Sequence, residues 1–183
     1  QCPPDYFCPR GSVDPIICGN YTIREDTGGQ NQSECSLCSA GVLCLPSNHT
    51  RYPCPAGRYC PLGTAEEAPR CPTGTYNPFR SAESIDDCLQ CPAGYFCDDM
   101  GIVDYENYLC PSGHFCPQGT NHPPGCPGGT YRDSVGGMSS ADCTPCATPQ
   151  YCPEVASNNT QNCPPGYYCP TNNTMNATLC DPG

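Results

Sequence analysis

Apolar positions along this chain are few and scattered. Leu, Ile, Val and Phe together number 21 of 183 residues. That is well under the roughly 20 % a chain needs to bury enough apolar surface against its own entropy. No run approaches the ~20 consecutive apolar residues of a membrane span. Where apolar side chains do recur, they sit beside cysteine. In Cys71-Pro-Thr-Gly-Thr-Tyr76 and Cys126-Pro-Gly-Gly-Thr-Tyr131 a β-branched residue and an aromatic follow a turn, which reads as a short strand entering a hairpin. The stretches 19–34, 72–87 and 127–142 are the predicted hairpins, with Gly28-Gly29 and Gly136-Gly137 near the tips. The 24 Pro and 19 Gly argue against long helices and wide sheets. The expected fold is small and disulfide-rich: tandem cysteine-rich repeats of short β-hairpins and loops forming an extended rod, with little or no helix.

Cysteine replaces the missing core. Its 21 residues exceed the roughly 8–10 % that marks a disulfide scaffold. They fall at 2, 8, 18, 35, 38 and 44; at 54, 60, 71, 88, 91 and 97; at 110, 116, 126, 143, 146 and 152; and at 163, 169 and 180. Each complete set carries the same run of gaps, 16, 2 and 5 residues, so the chain repeats a six-cysteine unit. The units span 1–53 (degenerate), 54–109 and 110–162, and 163–183 is the first half of a fourth. Neighbouring residues repeat as well. Cys54-Pro-Ala-Gly-Arg-Tyr-Cys60, Cys110-Pro-Ser-Gly-His-Phe-Cys116 and Cys163-Pro-Pro-Gly-Tyr-Tyr-Cys169 share one form, and Cys91–Cys97 has it too. Pro after Cys fixes φ, Gly two residues on permits φ > 0 in a tight turn, and the aromatic before the closing Cys is placed to cover a disulfide. An acidic residue, Glu34, Asp87 or Asp142, precedes the fourth Cys of each unit. The invariant 16-residue gap points to the pairs Cys18–Cys35, Cys71–Cys88 and Cys126–Cys143. The remaining connectivity stays open on spacing alone.

This pattern, Cys-Pro-x-Gly-Thr-Tyr followed by Ser and then Cys-x-x-Cys-Pro-Ala-Gly, resembles the ephrin-receptor-like cysteine-rich repeat. That repeat is related to the modules of the tumour-necrosis-factor receptor group. The resemblance covers essentially the whole chain. It departs at Cys18-Gly-Asn-Tyr and Cys38-Ser-Ala-Gly, where Pro is missing, and at Cys146-Ala-Thr-Pro-Gln-Tyr-Cys152, where Gly is missing. Such repeats occur in receptor ectodomains and in protist surface and flagellar-hair-like fibre proteins. The resemblance implies interleaved pairing across unit boundaries: Cys38–Cys54 with Cys44–Cys60, Cys91–Cys110 with Cys97–Cys116, and Cys146–Cys163 with Cys152–Cys169. The rival scheme closes the five-residue loops locally, as Cys54–Cys60. Interleaving would leave Cys2, Cys8 and Cys180 unpaired or intermolecular, with the partner of Cys180 falling beyond Gly183.

Compartment and charge narrow the function. Disulfides at this density persist in oxidising surroundings, so the chain is expected to be extracellular, at a cell surface or secreted. Six Asn-x-Ser/Thr acceptors for N-linked glycans agree: Asn20, Asn31, Asn48, Asn158, Asn172 and Asn176. None lies between 48 and 158, and that bare stretch reads either as chance or as a surface that packs on a neighbour. The chain opens on Gln1-Cys2, as a processed chain or a segment of a longer one would. A net charge of −11 disfavours nucleic-acid backbones and anionic membrane surfaces. The pairs Cys35/Cys38, Cys88/Cys91 and Cys143/Cys146 have zinc-like spacing, but in this setting they read as disulfide cysteines. His49, His114 and His122 read as solvated turn residues. Asp86-Asp87 and Asp98-Asp99 offer oxygen ligands to calcium, but such pairs read more often as hydrated surface. No catalytic site, metal site or cofactor is assigned, and no enzyme is expected. The expected function is structural: a segment of an extracellular glycoprotein fibre that self-associates into filaments or continues in a longer chain. The alternative is a ligand-binding receptor or adhesion ectodomain.

Overall fold

A computed structural model describes residues 1–19, 22–45 and 50–181. Among them are only short strands and three single 3-10 turns, Gln32–Glu34, Ile85–Asp87 and Ser140–Asp142. Antiparallel two-stranded hairpins join β1 (Tyr6–Phe7) to β2 (Ile16–Ile17), β3 (Thr22–Ile23) to β4 (Ser36–Leu37), and β5 (Val42–Leu45) to β6 (Thr50–Pro53). β7 (Thr75–Tyr76) pairs with β8 (Leu89–Gln90). Antiparallel hairpins resume with β9 (Thr130–Tyr131) and β10 (Thr144–Pro145), β11 (Gln150–Tyr151) and β12 (Gln161–Asn162), and β13 (Tyr167–Tyr168) and β14 (Thr178–Leu179). The expected hairpins after Cys18, Cys71 and Cys126 are β3–β4, β7–β8 and β9–β10.

The building block is smaller than the six-cysteine unit. It is one tight turn that opens at a cysteine. The N–H of the fifth residue of the turn donates to the carbonyl of the second, as in Arg58 to Pro55, Thr75 to Pro72, Tyr95 to Pro92 and Thr130 to Pro127. The fourth residue has φ > 0, which is the type II turn requirement that selects glycine. Asp5 takes this place in the first turn at φ 63°. In the Cys146 turn the place is held by Pro149 behind a cis peptide bond, and Gln150 N–H still donates to Ala147 O.

This turn decides the disulfides and corrects the interleaved expectation. Because each turn reverses the chain within itself, the two cysteines flanking five residues finish 5.8–6.2 Å apart at Cα and pair locally. The bonds are Cys2–Cys8, Cys38–Cys44, Cys54–Cys60, Cys91–Cys97, Cys110–Cys116, Cys146–Cys152 and Cys163–Cys169. None of the six pairs expected across unit boundaries forms. Cys2 and Cys8 are therefore bonded to each other and are not left over. The pairs expected from the 16-residue gap, Cys18–Cys35, Cys71–Cys88 and Cys126–Cys143, are present.

With local closure, the backbone links successive turns. The chain forms two compact units, Gln1–Cys71 with Asn77–Leu89, and Pro72–Tyr76 with Gln90–Gly183. In the first, the fourth-residue N–H of three turns donates to the seventh-residue carbonyl of the next: Asp5 to Arg24, Gly41 to Cys60, and Gly57 to Asn77. In the second the same bond runs from Gly74 to Cys97, Gly94 to Cys116, Gly113 to Arg132 and Gly129 to Cys152, at 2.7–3.1 Å. A second stitch returns from further along the chain. Gly136 N–H donates to Cys110 O and Ala156 N–H to Cys126 O, again from residues with φ > 0. Gly28 and Gly136, expected at hairpin tips, perform this stitching, Gly28 to Cys2 O. The residues that exclude water are the cystines themselves. Cys38, Cys54, Cys60, Cys71, Cys91, Cys97, Cys110, Cys116, Cys126, Cys146 and Cys152 are fully buried.

Candidate functional site

Three kinds of polar residue support the turns. The first is the acidic residue before the fourth cysteine. Asp87 Oδ2 accepts from the backbone N–H groups of Glu83 (2.7 Å) and Ser84 (3.0 Å), closing a capping box on the 3-10 turn. Asp142 Oδ2 does the same with Met138 (2.7 Å) and Ser139 (3.0 Å). Glu34 Oε1 accepts from Gln30 N–H and Asn31 Nδ2. The Ser84 N–H, and after it that of Glu83, hold the Asp87 carboxyl below the ordinary aspartate value. The Met138 and Ser139 N–H groups do so for Asp142.

The second kind occupies the seventh place of the turns closed by the longer loop, where no cysteine is available. Arg24, Asn77 and Arg132 stand there and tie the following loop by hydrogen bonds. Arg24 Nη1 pairs with Glu34 at 2.7 Å. The buried Asn77 accepts from Phe79 N–H and donates to Arg58 O. Arg132 donates to Asp142 O and Val135 O. The third is Asp5, whose buried carboxylate accepts from Arg24 N–H (3.1 Å) and pairs with Arg51 Nη2 (2.9 Å). Sequence reasoning missed Arg24, Asn77, Arg132 and the Asp5–Arg51 tie. Counting six residues on from the opening cysteine would have found the first three.

Two surfaces stand apart from this scaffold. In the second unit Tyr105 meets Tyr76 and Tyr95 edge to face, with centroids 4.7 and 4.9 Å apart, over the Cys91–Cys97 bond. The aromatic expected over that disulfide, Phe96, packs on Tyr108 instead, at 5.9 Å. Partial burial, then the neighbours Tyr76 and Glu106, push the Tyr105 hydroxyl up. In the first unit a groove of about 680 Å³ has Leu62, Phe79 and Leu89 on its walls, with Arg80, Glu83 and Asp86 beside them.

The residues singled out from sequence for chemistry do not converge. Among the described residues no three His, Cys, Asp or Glu side chains gather as metal ligands. The Cys-x-x-Cys members bond to other partners, Cys35 to Cys18 and Cys38 to Cys44. His114 is half-buried with Nδ1 2.9 Å from Ser112 O, and His122 is exposed. His49, Asn20 and Asn48 lie outside the described residues. The acceptor residues Asn31, Asn158, Asn172 and Asn176 are exposed. Cys180 is exposed and carries a free thiol.

These features define a class: a small disulfide-rich protein of strands and loops built from repeated cystine turns. Ten disulfides among the described residues suggest an extracellular or secreted protein. No helix among them is long and apolar enough to cross a membrane. No protein-family model matches the chain, and no curated protein matches it by sequence.

Proposed function

We propose that this chain is a structural segment of an extracellular glycoprotein, part of a surface fibre or filament assembled from cystine turns and decorated by N-linked glycans. The observation that carries this reading is the repeated stitch, a fourth-residue N–H given to the seventh-residue carbonyl of the next turn. It makes each turn a support for its neighbour and uses the chain's recurrent polar residues for scaffolding. The exposed acceptors Asn31, Asn158, Asn172 and Asn176 supply glycan sites. The resemblance to ephrin-receptor-like repeats points the same way, since such repeats build surface fibres as well as receptors. A ligand-binding or adhesion ectodomain is the second reading, favoured by the open groove beside Phe79. Electron microscopy of native, non-reduced protein separates the two. Long filaments with a fixed axial repeat support the structural reading. Particles that stay discrete at every concentration refute it and turn attention to a ligand.

A further inference from the structure

The groove of the first unit is apolar and charged at once. Leu62 and Phe79 are 64 % and 65 % exposed, and Leu89 is 40 % exposed. All three share the walls of one groove, so together they offer an occupant apolar side chains. Around them, among the described residues, the carboxylates of Glu83 and Asp86 and the guanidinium of Arg80 make no ion pair. An occupant that brings apolar surface together with one cation and one anion would complement it.

The same unit carries that combination elsewhere. The chain has no lysine and seven arginines. Arg24, Arg51 and Arg58 are ion-paired, and Arg132 is bonded to carbonyl groups. Arg80 belongs to the groove. That leaves Arg10 and Arg70, and only Arg10 projects with large exposed apolar neighbours. The β1–β2 loop and the first residue of β2 place Arg10, Val13, Asp14 and Ile16 at the surface, with Val13 94 % exposed and Ile16 45 %. A turn inside the loop is closed by Ser12 N–H to Pro9 O (2.9 Å).

We infer that the β1–β2 loop of one copy of this chain docks in the Leu62–Phe79–Leu89 groove of a second copy, with Arg10 meeting Glu83 and Asp86, and Asp14 meeting Arg80. Val13 and Ile16 supply the apolar surface. Two opposite-sign pairs flanking an apolar centre set register and exclude reversed docking. Projection and groove are different patches, so the contact is heterologous and can propagate from copy to copy. This inference rests on the filament reading above and supplies one of its contacts.

The test is charge exchange in the full, oxidised chain, followed by sedimentation over a range of concentrations. Arg10→Glu alone, and Glu83→Arg with Asp86→Arg, should each weaken self-association by about tenfold or more. Combining the three should bring association back towards wild type. Val13→Asp should weaken it without any exchange partner. These positions are exposed, and circular dichroism with a non-reducing gel checks that every variant is folded. Association that is unchanged in all the variants, or that is lost and not restored by the combination, overturns the contact. Filaments that form in Arg10→Glu at the same concentration as in wild type overturn the contact alone and leave the fibre reading standing. A wild-type chain that never associates overturns both.

Discussion

Replacing Gly113 by alanine tests how neighbouring turns are joined, and Gly166 is its internal control. Both residues have φ near +80°, at 76° and 82°. Any L-residue there bears a left-handed cost of about 1–2 kcal/mol. What differs is the surroundings. A Cβ on Gly113 would lie 2.1 Å from Ala156 O and 2.8 Å from its carbonyl carbon, whereas a Cβ on Gly166 meets nothing within 4 Å. Backbone cannot swing aside as a flexible side chain can, so the Gly113 turn and the 156 loop must separate. That movement loosens Gly113 N–H to Arg132 O (2.8 Å) and Ala156 N–H to Cys126 O (2.9 Å). Each such bond is worth about 1 kcal/mol net. Gly113→Ala should therefore cost about 3–4 kcal/mol and Gly166→Ala about 1–2 kcal/mol. Denaturant unfolding with disulfides intact, read by tyrosine near-UV circular dichroism, gives the comparison. Hydrogen exchange at the Gly113 and Ala156 amides localises it. Equal destabilisation by the two substitutions would refute the claim that close backbone approach holds the turns together.

Two further outcomes follow from the supporting residues. Asp142 has a carboxyl held below its unfolded value, so its contribution is fully present above about pH 4 and is lost as pH falls through the lower folded value. Thermal midpoints should drop more steeply on acidification in wild type than in Asp142→Asn, and parallel curves would contradict this. Arg51→Ala leaves the buried Asp5 carboxylate without its cation and should cost about 1–2 kcal/mol, less than a fully buried pair because Arg51 is partly solvated. The same change in an Asp5→Gly background should cost almost nothing in a denaturant titration, and an unchanged cost would show that Arg51 acts through something other than Asp5.

Much of this architecture was legible in the residues. Cys-Pro-x-Gly announced the turn, Gly-Thr-Tyr announced a strand, and the constant 16-residue gap announced Cys18–Cys35 and its two counterparts. The pairing of the other cysteines was not legible, because spacing admits both local and crossed bonds and analogy pointed to the crossed ones. The turn settles it, because it reverses the chain and leaves the flanking cysteines 5.8–6.2 Å apart at Cα. Glu34, Asp87 and Asp142 were visible as a recurring acid, but their role as caps needs the geometry of the 3-10 turn. Asp5 was hidden for a different reason: a non-glycine in a glycine place looks like degeneracy until its carboxylate is seen facing Arg51. The groove at Leu62, Phe79 and Leu89 draws on residues far apart in sequence and has no linear signature.

The central claim is that each cystine turn closes on itself and that backbone hydrogen bonds, not crossed disulfides, join one turn to the next. Peptide mapping of the non-reduced chain by mass spectrometry tests it directly. Proteolysis between Cys44 and Cys54 and between Cys97 and Cys110 should yield separable fragments, with Cys54–Cys60, Cys110–Cys116 and Cys2–Cys8 each closed within one peptide. Fragments that stay joined through Cys38–Cys54 or Cys97–Cys116 until reduction would contradict it.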